Sequence, residues 1–386
     1  MRKGERALTV RVRDVMAWIE ALAPAKLAEA WDNVGLQVGA PDAPVDRVLT
    51  ALTVTADVVE QAAERGAQLI IAHHPLIFRA RKEVRRDDRV GALLYRLIQR
   101  DIALLVAHTN LDAAAGGVND GLARRLGLGQ CVPLVPAAPE GKERLKLVTF
   151  VPTASLERVR QAVGDAGAGV IGLYSHCTFA APGEGTFLPL EGARPHIGSV
   201  GVPERVEEFR LEAVVERKDA AKVIAALKEA HPYEEVPVDL YPLVAAEEVG
   251  TGIGRVGTLA ASMKAEEFVA HVKNVLDIRH LRVAGADRRE VRRVAVVGGA
   301  GGRFVEAAHA AGADALVTGD VDFHDADAAR DLGLLVVDAG HFGTEKHVPH
   351  DLARYVEEQA AQAGLAVAVF VAQEADPLHV PSGPAG

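Results

Sequence analysis

Cysteine is nearly missing from this chain: Cys131 and Cys177 are the only two in 386 residues. They lie in different segments and form no CxxC pair, which argues against a disulfide framework and a thiolate zinc site. Small buried thiols are the expectation for both. Aromatic residues make up 4%, so Ala, Val and Leu must carry the core. A basic balance is also lacking. The net charge of −10 disfavours non-specific binding of nucleic acid, which needs a net positive face. Residues 79–89 form a local basic run against that background. Nowhere do eighteen apolar residues run together, so no membrane span is expected. The charged start Met-Arg-Lys-Gly-Glu-Arg is not followed by the apolar stretch of a secretory signal. The expected location is the cytoplasm.

The length exceeds the roughly 250–300 residues at which one core stops growing, so at least two domains are expected. Through residue 130, helical patterns (12–30, 56–65, 91–100) alternate with short apolar runs (48–54, 67–72, 102–107). Strands without polar alternation, separated by helices, predict a parallel sheet covered on both faces. Residues 132–143 carry Pro133, Pro136 and Pro139 and read as a connector. From 144 the order is strand (146–151), helix (155–166), hairpin (172–180 with 185–188), strand (207–215), helix (220–231) and strand (236–243). That order predicts a split βαβ, ferredoxin-like unit. After residue 250 the strand–helix alternation resumes, with strands at 293–297, 315–318, 334–338 and 366–372 and a long helix at 349–363. The fold class predicted is α/β. The two chain ends (1–135 and 250–375) build one domain, residues 144–245 form an insertion, and 376–386 make a flexible tail.

Three apolar runs end in polar clusters. His73-His74-Pro75 follows the first, at the kind of strand end where open α/β sheets bind ligands. Adjacent side chains in a regular strand point to opposite faces, so the two histidines converge only if the strand has ended. His108-Thr109-Asn110-Leu111-Asp112 follows the second run, and Gly340-His341 with Glu345 follows the third. On a helical turn, His341 and Glu345 would project to one side. Isolated histidine pairs are commonly surface or hydrogen-bonded groups, and a lone Asp112 is commonly a loop cap. Three such clusters at three strand ends favour metal ligation by imidazole and carboxylate, with His108 as a further ligand or a group orienting one.

Two other motifs compete. Gly298-Gly299-Ala300-Gly301-Gly302 follows a strand, but Phe304 stands where a dinucleotide loop needs its third glycine. A tight turn or close backbone approach is the better reading. Thr318-Gly319-Asp320-Val321-Asp322-Phe323-His324 either lines the same cleft or places Asp322 and Asp325 at a helix N-terminus. No G-x-S-x-G or Walker sequence occurs.

Together these segments resemble the NIF-three-like family, catalogued as GTP cyclohydrolase 1 type 2 homologues. The resemblance also takes in residues 31–39 from Trp31 to Gly39, His73–Phe78, Gly254-Arg255-Val256-Gly257 and Thr318-Gly319-Asp320. It implies two divalent metal ions, of Zn, Fe, Mn, Ni or Co, held by His73, His74, Asp112, His341 and Glu345. In that pattern His74 and Asp112 serve one ion, His73 and His341 the other, and Glu345 bridges. It further implies a PII- or CutA-like insertion, signalled by the segment from His231 to Pro237, and a ring-shaped homohexamer. The expected activity is hydrolysis of a nucleotide or phosphoester by a hydroxide held between the ions, with His108 or His324 moving protons. The competing expectation is a metal-handling or regulatory protein without turnover.

Overall fold

Alternate residues of the apolar runs feed two separate cores, which is why these strands show no polar alternation. In β3 (Leu69–His74), Leu69 and Ile71 pack into one buried cluster and Ile70 and Ala72 into another. In β13 (Ala315–Gly319), Ala315 and Val317 face one cluster and Leu316 the other. Each fully buried Leu or Ile contributes roughly 1.5–3 kcal/mol.

The computed structural model describes residues 9–137, 144–243, 250–285 and 290–378. Part of the expected connector (138–143), the end of the expected insertion (244–245) and the tail beyond 378 lie outside the described residues. The chain is a mixed α/β protein of two compact units. Residues up to 137 and from 250 onward form the first, and the residues between form the second.

The first unit holds two sheets. One has the order β1-β4-β3-β2-β15, with β1 (Gly35–Val38), β2 (Arg47–Thr53), β4 (Ala103–Val106) and β15 (Ala368–Val371). Here β2, β3, β4 and β15 are parallel, while β1 runs antiparallel at the edge. The expected parallel sheet is therefore mixed, and one strand comes from the far end of the chain. The other sheet has the order β11-β14-β13-β12-β10-β5, built from β5 (Gly129–Pro136), β10 (Gly252–Met263), β11 (Arg282–Ala284), β12 (Val291–Ala300), β13 and β14 (Leu335–Asp338). Its centre, β12 to β14, is parallel.

Two readings change. Residues 129–136 are a strand, not the start of a connector; prolines 133 and 136 sit on an edge strand, where a missing N–H is tolerated. Strand β10 was hidden by its glycines 252, 254 and 257. The thiols of Cys131 and Cys177 are free but only half-buried.

The second unit runs β6 (Arg144–Pro152), helix Leu156–Asp165, β7 (Thr178–Phe187), β8 (Glu204–Glu216), helix Ala220–Ala230 and β9 (Val238–Pro242). Its sheet order is β7-β8-β6-β9, antiparallel throughout. The expected hairpin is instead one edge strand, β7, which runs through Pro182 and Gly183. Leu147, Leu211, Val159, Val163, Val223 and Leu227 make the core between sheet and helices. Phe150, Glu208 and Arg210, in the alternate register, line a cleft of about 1000 Å³ with Phe187, His196 and Tyr233. Among the described residues no helix is long and apolar enough to cross a membrane.

Candidate metal centre

The first unit brings the three predicted strand ends to one place. His73 and His74 are the last residues of β3, and His74 still pairs in register with Thr53 of β2. The strand ends there, as expected for adjacent histidines that converge, and their ring centroids lie 5.1 Å apart. His108 precedes the short helix Thr109–Ala113, which carries Asp112. His341 and Glu345 open and close the helix His341–Glu345 after β14, one turn apart. Gly340 enters that helix at φ +77°, a conformation that favours glycine.

Glu345 is the hub. Its Oε2 lies 3.0 Å from His74 Nε2 and 3.1 Å from His341 Nε2, and its Oε1 lies 3.8 Å from His73 Nε2. Asp112 Oδ1 approaches His73 Nε2 at 3.6 Å. Three groups have ligand atoms close enough for one ion: His73 with Asp112 and Glu345, His74 with His341 and Glu345, and His73 with His74 and His108. By proximity, His73 lies with Asp112 and Glu345, and His74 with His341 and Glu345, while a third group joins His73 to His74; the resemblance implies His74 with Asp112 and His73 with His341.

Each imidazole is oriented by its other nitrogen. His73 Nδ1 donates to the Ala107 carbonyl at 2.8 Å, and His341 Nδ1 donates to Asp320 Oδ2 at 2.7 Å. His74 Nδ1 meets Thr53 Oγ1 at 2.7 Å, and His108 Nδ1 donates to both oxygens of Asp32 at 3.0 Å. Such partners set the tautomer and turn Nε2 toward a metal. The consequence is visible in the centre. His73 Nε2 and Asp112 Oδ1 are buried without a hydrogen-bond partner, and the Nε2 atoms of His74 and His341 face each other at 3.3 Å. Buried polar atoms are costly when unsatisfied. Divalent cations fit: imidazole and carboxylate donors converge on them, and they complete the orphaned atoms.

The ion-free electrostatics show the same need for positive charge. Burial opposes charge on His73, but Asp112 and Glu345 outweigh it and push its pKa up to about 9. The hydrogen bond to Glu345, aided by Asp320, raises His341 to about 9 against its burial. Glu345 also feels burial, yet the imidazoles of His341, His73 and His74 around it hold it well below the usual carboxylate range. Burial raises Asp112. Burial lowers His108, and the charge on His73 lowers it further.

The other expected residues divide. Asp320, at φ +53°, braces His341, while Asp322 caps the helix Phe323–Leu332 by accepting from Asp325 N. Both readings of that stretch are thus realised, on different residues. His324 is exposed on the same helix against Phe323, and it joins none of the clusters among the described residues. Of the 298–302 glycines, Gly298 and Gly299 lie against the centre, and Gly301 and Gly302 pack on Thr318, Val297 and Asp325. A Cβ on Gly299, at φ +66°, would sit 2.4 Å from Glu345 Oε1. The bracing roles of Asp32 and Thr53 carried no assignment from the sequence. The sequence signals were the strand-end position of Thr53 and the place of Asp32 within the 31–39 stretch that carries the resemblance.

The chain as a whole has relatives among known proteins. The model of Duf34/NIF3 (NGG1p interacting factor 3) matches residues 10–377. A Bacillus subtilis protein called GTP cyclohydrolase 1 type 2 homolog is 42% identical over 367 residues, covering 95% of this chain and 97% of its own. A Halalkalibacterium halodurans protein of the same name is 45% identical over 327 residues, covering 85% and 87%. The crystal structure of a Bacillus cereus protein related to NIF3 is 42% identical, with a TM-score of 0.68 over 97% of this chain and 100% of that one.

Proposed function

Since the chain belongs to the Duf34/NIF3 family, we propose that it is a metal-dependent hydrolase with a dinuclear centre, acting on a nucleotide or phosphoester. The observation that carries this is Glu345, buried and shared between two ligand groups, one of which leaves His73 Nε2 and Asp112 Oδ1 buried without a partner. His73, Asp112 and Glu345 would hold one ion, and His74, His341 and Glu345 the other. Two divalent ions supply Lewis acidity and activate water near neutral pH. The chain's own contribution is orientation and proton handling. Thr53, Asp320 and the Ala107 carbonyl fix the three imidazole rings. Asp32 holds His108 beside them, its ring centroid 5.2 Å from that of His73. Burial lowers the pKa of His108, which favours the neutral imidazole that could accept a proton. The name printed for the relatives points to GTP as a first substrate to try. The second unit, in this reading, is a PII- or CutA-like insertion, and the chain works in the cytoplasm as a homohexamer.

Purified protein loaded with zinc or manganese should turn over GTP or a simple phosphoester. Chelation and His74→Ala should each abolish the activity. Turnover that survives in His74→Ala would come from a contaminant and would sink the proposal.

The cleft of about 1000 Å³ in the second unit favours a second reading, metal handling or regulation without turnover. Fast transfer of metal to an acceptor, with no hydrolysis across a broad panel, would support it. Tight retention against a chelator would count against it.

A further inference from the structure

Trp31 and Phe78 stand beside the histidine cluster, and neither lies in a core. Trp31 is 52% exposed and Phe78 46%. In a chain with two tryptophans, the other, Trp18, packs against the buried cluster beneath β2 and β4. The Trp31 and Phe78 rings meet edge to face with centroids 5.6 Å apart, and Trp31 stands edge-on to His108 at 6.2 Å. His108 is in turn 5.2 Å from the His73 ring and 5.8 Å from the His74 ring. Rings thus continue from solvent to the ligand atoms.

Polar side chains hold this pair in place. The Asp32 carboxylate is buried and accepts from His108 Nδ1, Thr109 N and Thr109 Oγ1. Asn33 Nδ2 donates to the Ile77 carbonyl at 2.6 Å, and Ile77 N donates to Gln37 Oε1 at 2.8 Å. Gln37 Nε2 closes the circuit on the Asn33 carbonyl at 2.8 Å. Segment 31–37 is therefore tied to the loop after β3, which presents Phe78 to Trp31. A network of this kind holds two apolar faces in water next to a reactive site, where a flat ring can stack on them.

Charge narrows the occupant. Residues 79–89, which follow Phe78, carry six basic and three acidic side chains in a chain of net charge −10. The acids are engaged, Asp88 by Arg81 and both Asp87 and Glu83 by Arg85. Arg79 and Lys82 make no ion pair among the described residues. An anionic group on the occupant suits that surplus.

We infer that Trp31 and Phe78 form the wall that receives the planar ring of the substrate, a heteroaromatic base carrying an anionic group such as phosphate. The inference rests on the hydrolytic reading of the centre, and it names the substrate class for that site. Base-on-aromatic stacking is typically worth roughly 1–3 kcal/mol, or about 5- to 150-fold in affinity.

The test is calorimetric titration of full-length, zinc-loaded protein with GTP and AMP, and with ringless tripolyphosphate. Trp31→Ala should weaken both nucleotides by about fivefold or more without altering metal content, whereas tripolyphosphate shows no such change. Trp31→Phe should recover most of the loss. In a Trp18→Phe background, Trp31 fluorescence should respond to the nucleotides and not to tripolyphosphate. Equal nucleotide affinity in Trp31→Ala and wild type overturns the wall. So does a change in oligomeric state alone, which would mean that a second copy covers the pair. Nucleotide binding that depends on Trp31 without any turnover keeps the wall and removes the hydrolase. Metal-dependent turnover of a ringless phosphoester, with no Trp31-dependent binding, removes the wall and keeps the hydrolase.

Discussion

Replacing Asp320 with asparagine should loosen one metal position and leave the other and the fold intact. Asp320 Oδ2 accepts from His341 Nδ1 at 2.7 Å, and that bond turns Nε2 toward Glu345 and His74. Removing a carboxylate that orients a ligating imidazole typically costs 10- to 100-fold in metal affinity, about 1.4–2.7 kcal/mol. The fold should hardly notice. The two side chains are 46% and 37% exposed, so their ion pair contributes about 0–1 kcal/mol to stability. Asparagine is the right substitute because position 320 sits at φ +53°, where Asn is tolerated and alanine would add backbone strain. Competition against a calibrated chelator, read as bound equivalents against free zinc, should split into two steps. The step assigned to His74, His341 and Glu345 moves to higher free zinc, and that of His73, Asp112 and Glu345 stays. Unchanged affinity in both steps, or an equal shift in both, would refute the grouping of His341 with His74.

Two other perturbations test different parts of the molecule. Arg255, 2% exposed on β10, donates to both oxygens of Asp120 and to the carbonyls of Ala114, Gly250, Gly252 and Gly254. Arg255→Met should therefore lose about 3–5 kcal/mol in urea unfolding, and Arg255→Lys should not restore it, because the fork geometry is lost. In the second unit, buried His231 accepts from Tyr233 N through Nδ1 and donates from Nε2 to the Phe150 carbonyl. Burial lowers its pKa below the unfolded value, with Arg158 and His196 adding to the effect and Glu208 opposing it. The neutral ring's contribution is then fully present above about pH 6.5 and is lost as pH falls toward the folded pKa. The Tm difference between wild type and His231→Gln should shrink from pH 8 to pH 5, and a constant difference would contradict this assignment.

How much of this was legible depends on the distance over which each feature is decided. His73, His74, Asp112, His341 and Glu345 follow apolar runs that bury both faces, so their approach to a common edge could be argued from local pattern. The pairing of the histidines could not, because it depends on which way each ring turns at the end of β3. Arg255 appeared within a recognisable motif, but its partner Asp120 lies 135 residues earlier. Edge strands β5 and β7 were misread because proline and glycine signal turns unless the sheet order is known. Thr53 and Asp32 are the clearest case. A threonine at the end of a strand and an aspartate in a loop are common everywhere. They acquire meaning only when β2 and the 31–37 segment meet His74 and His108.

The same contrast bears on how the centre works. The candidate ligand atoms come from the end of β3 and two short helices that follow β4 and β14, on sheets fixed by buried Leu, Ile and Val on both faces. Of the groups around them, Thr53 and the Ala107 carbonyl sit on or beside the sheet, whereas Asp320 and the stretch from Trp31 that leads into the edge strand β1 are more exposed. Rigid elements hold metal positions to within tenths of an ångström, while exposed loops tolerate change and set what is admitted. Substitution in the first set should therefore remove metal together with any activity. Substitution at Trp31 or Phe78 should instead change which substrates bind while the metal content stays, a separation that a purely structural role for these aromatics would not produce.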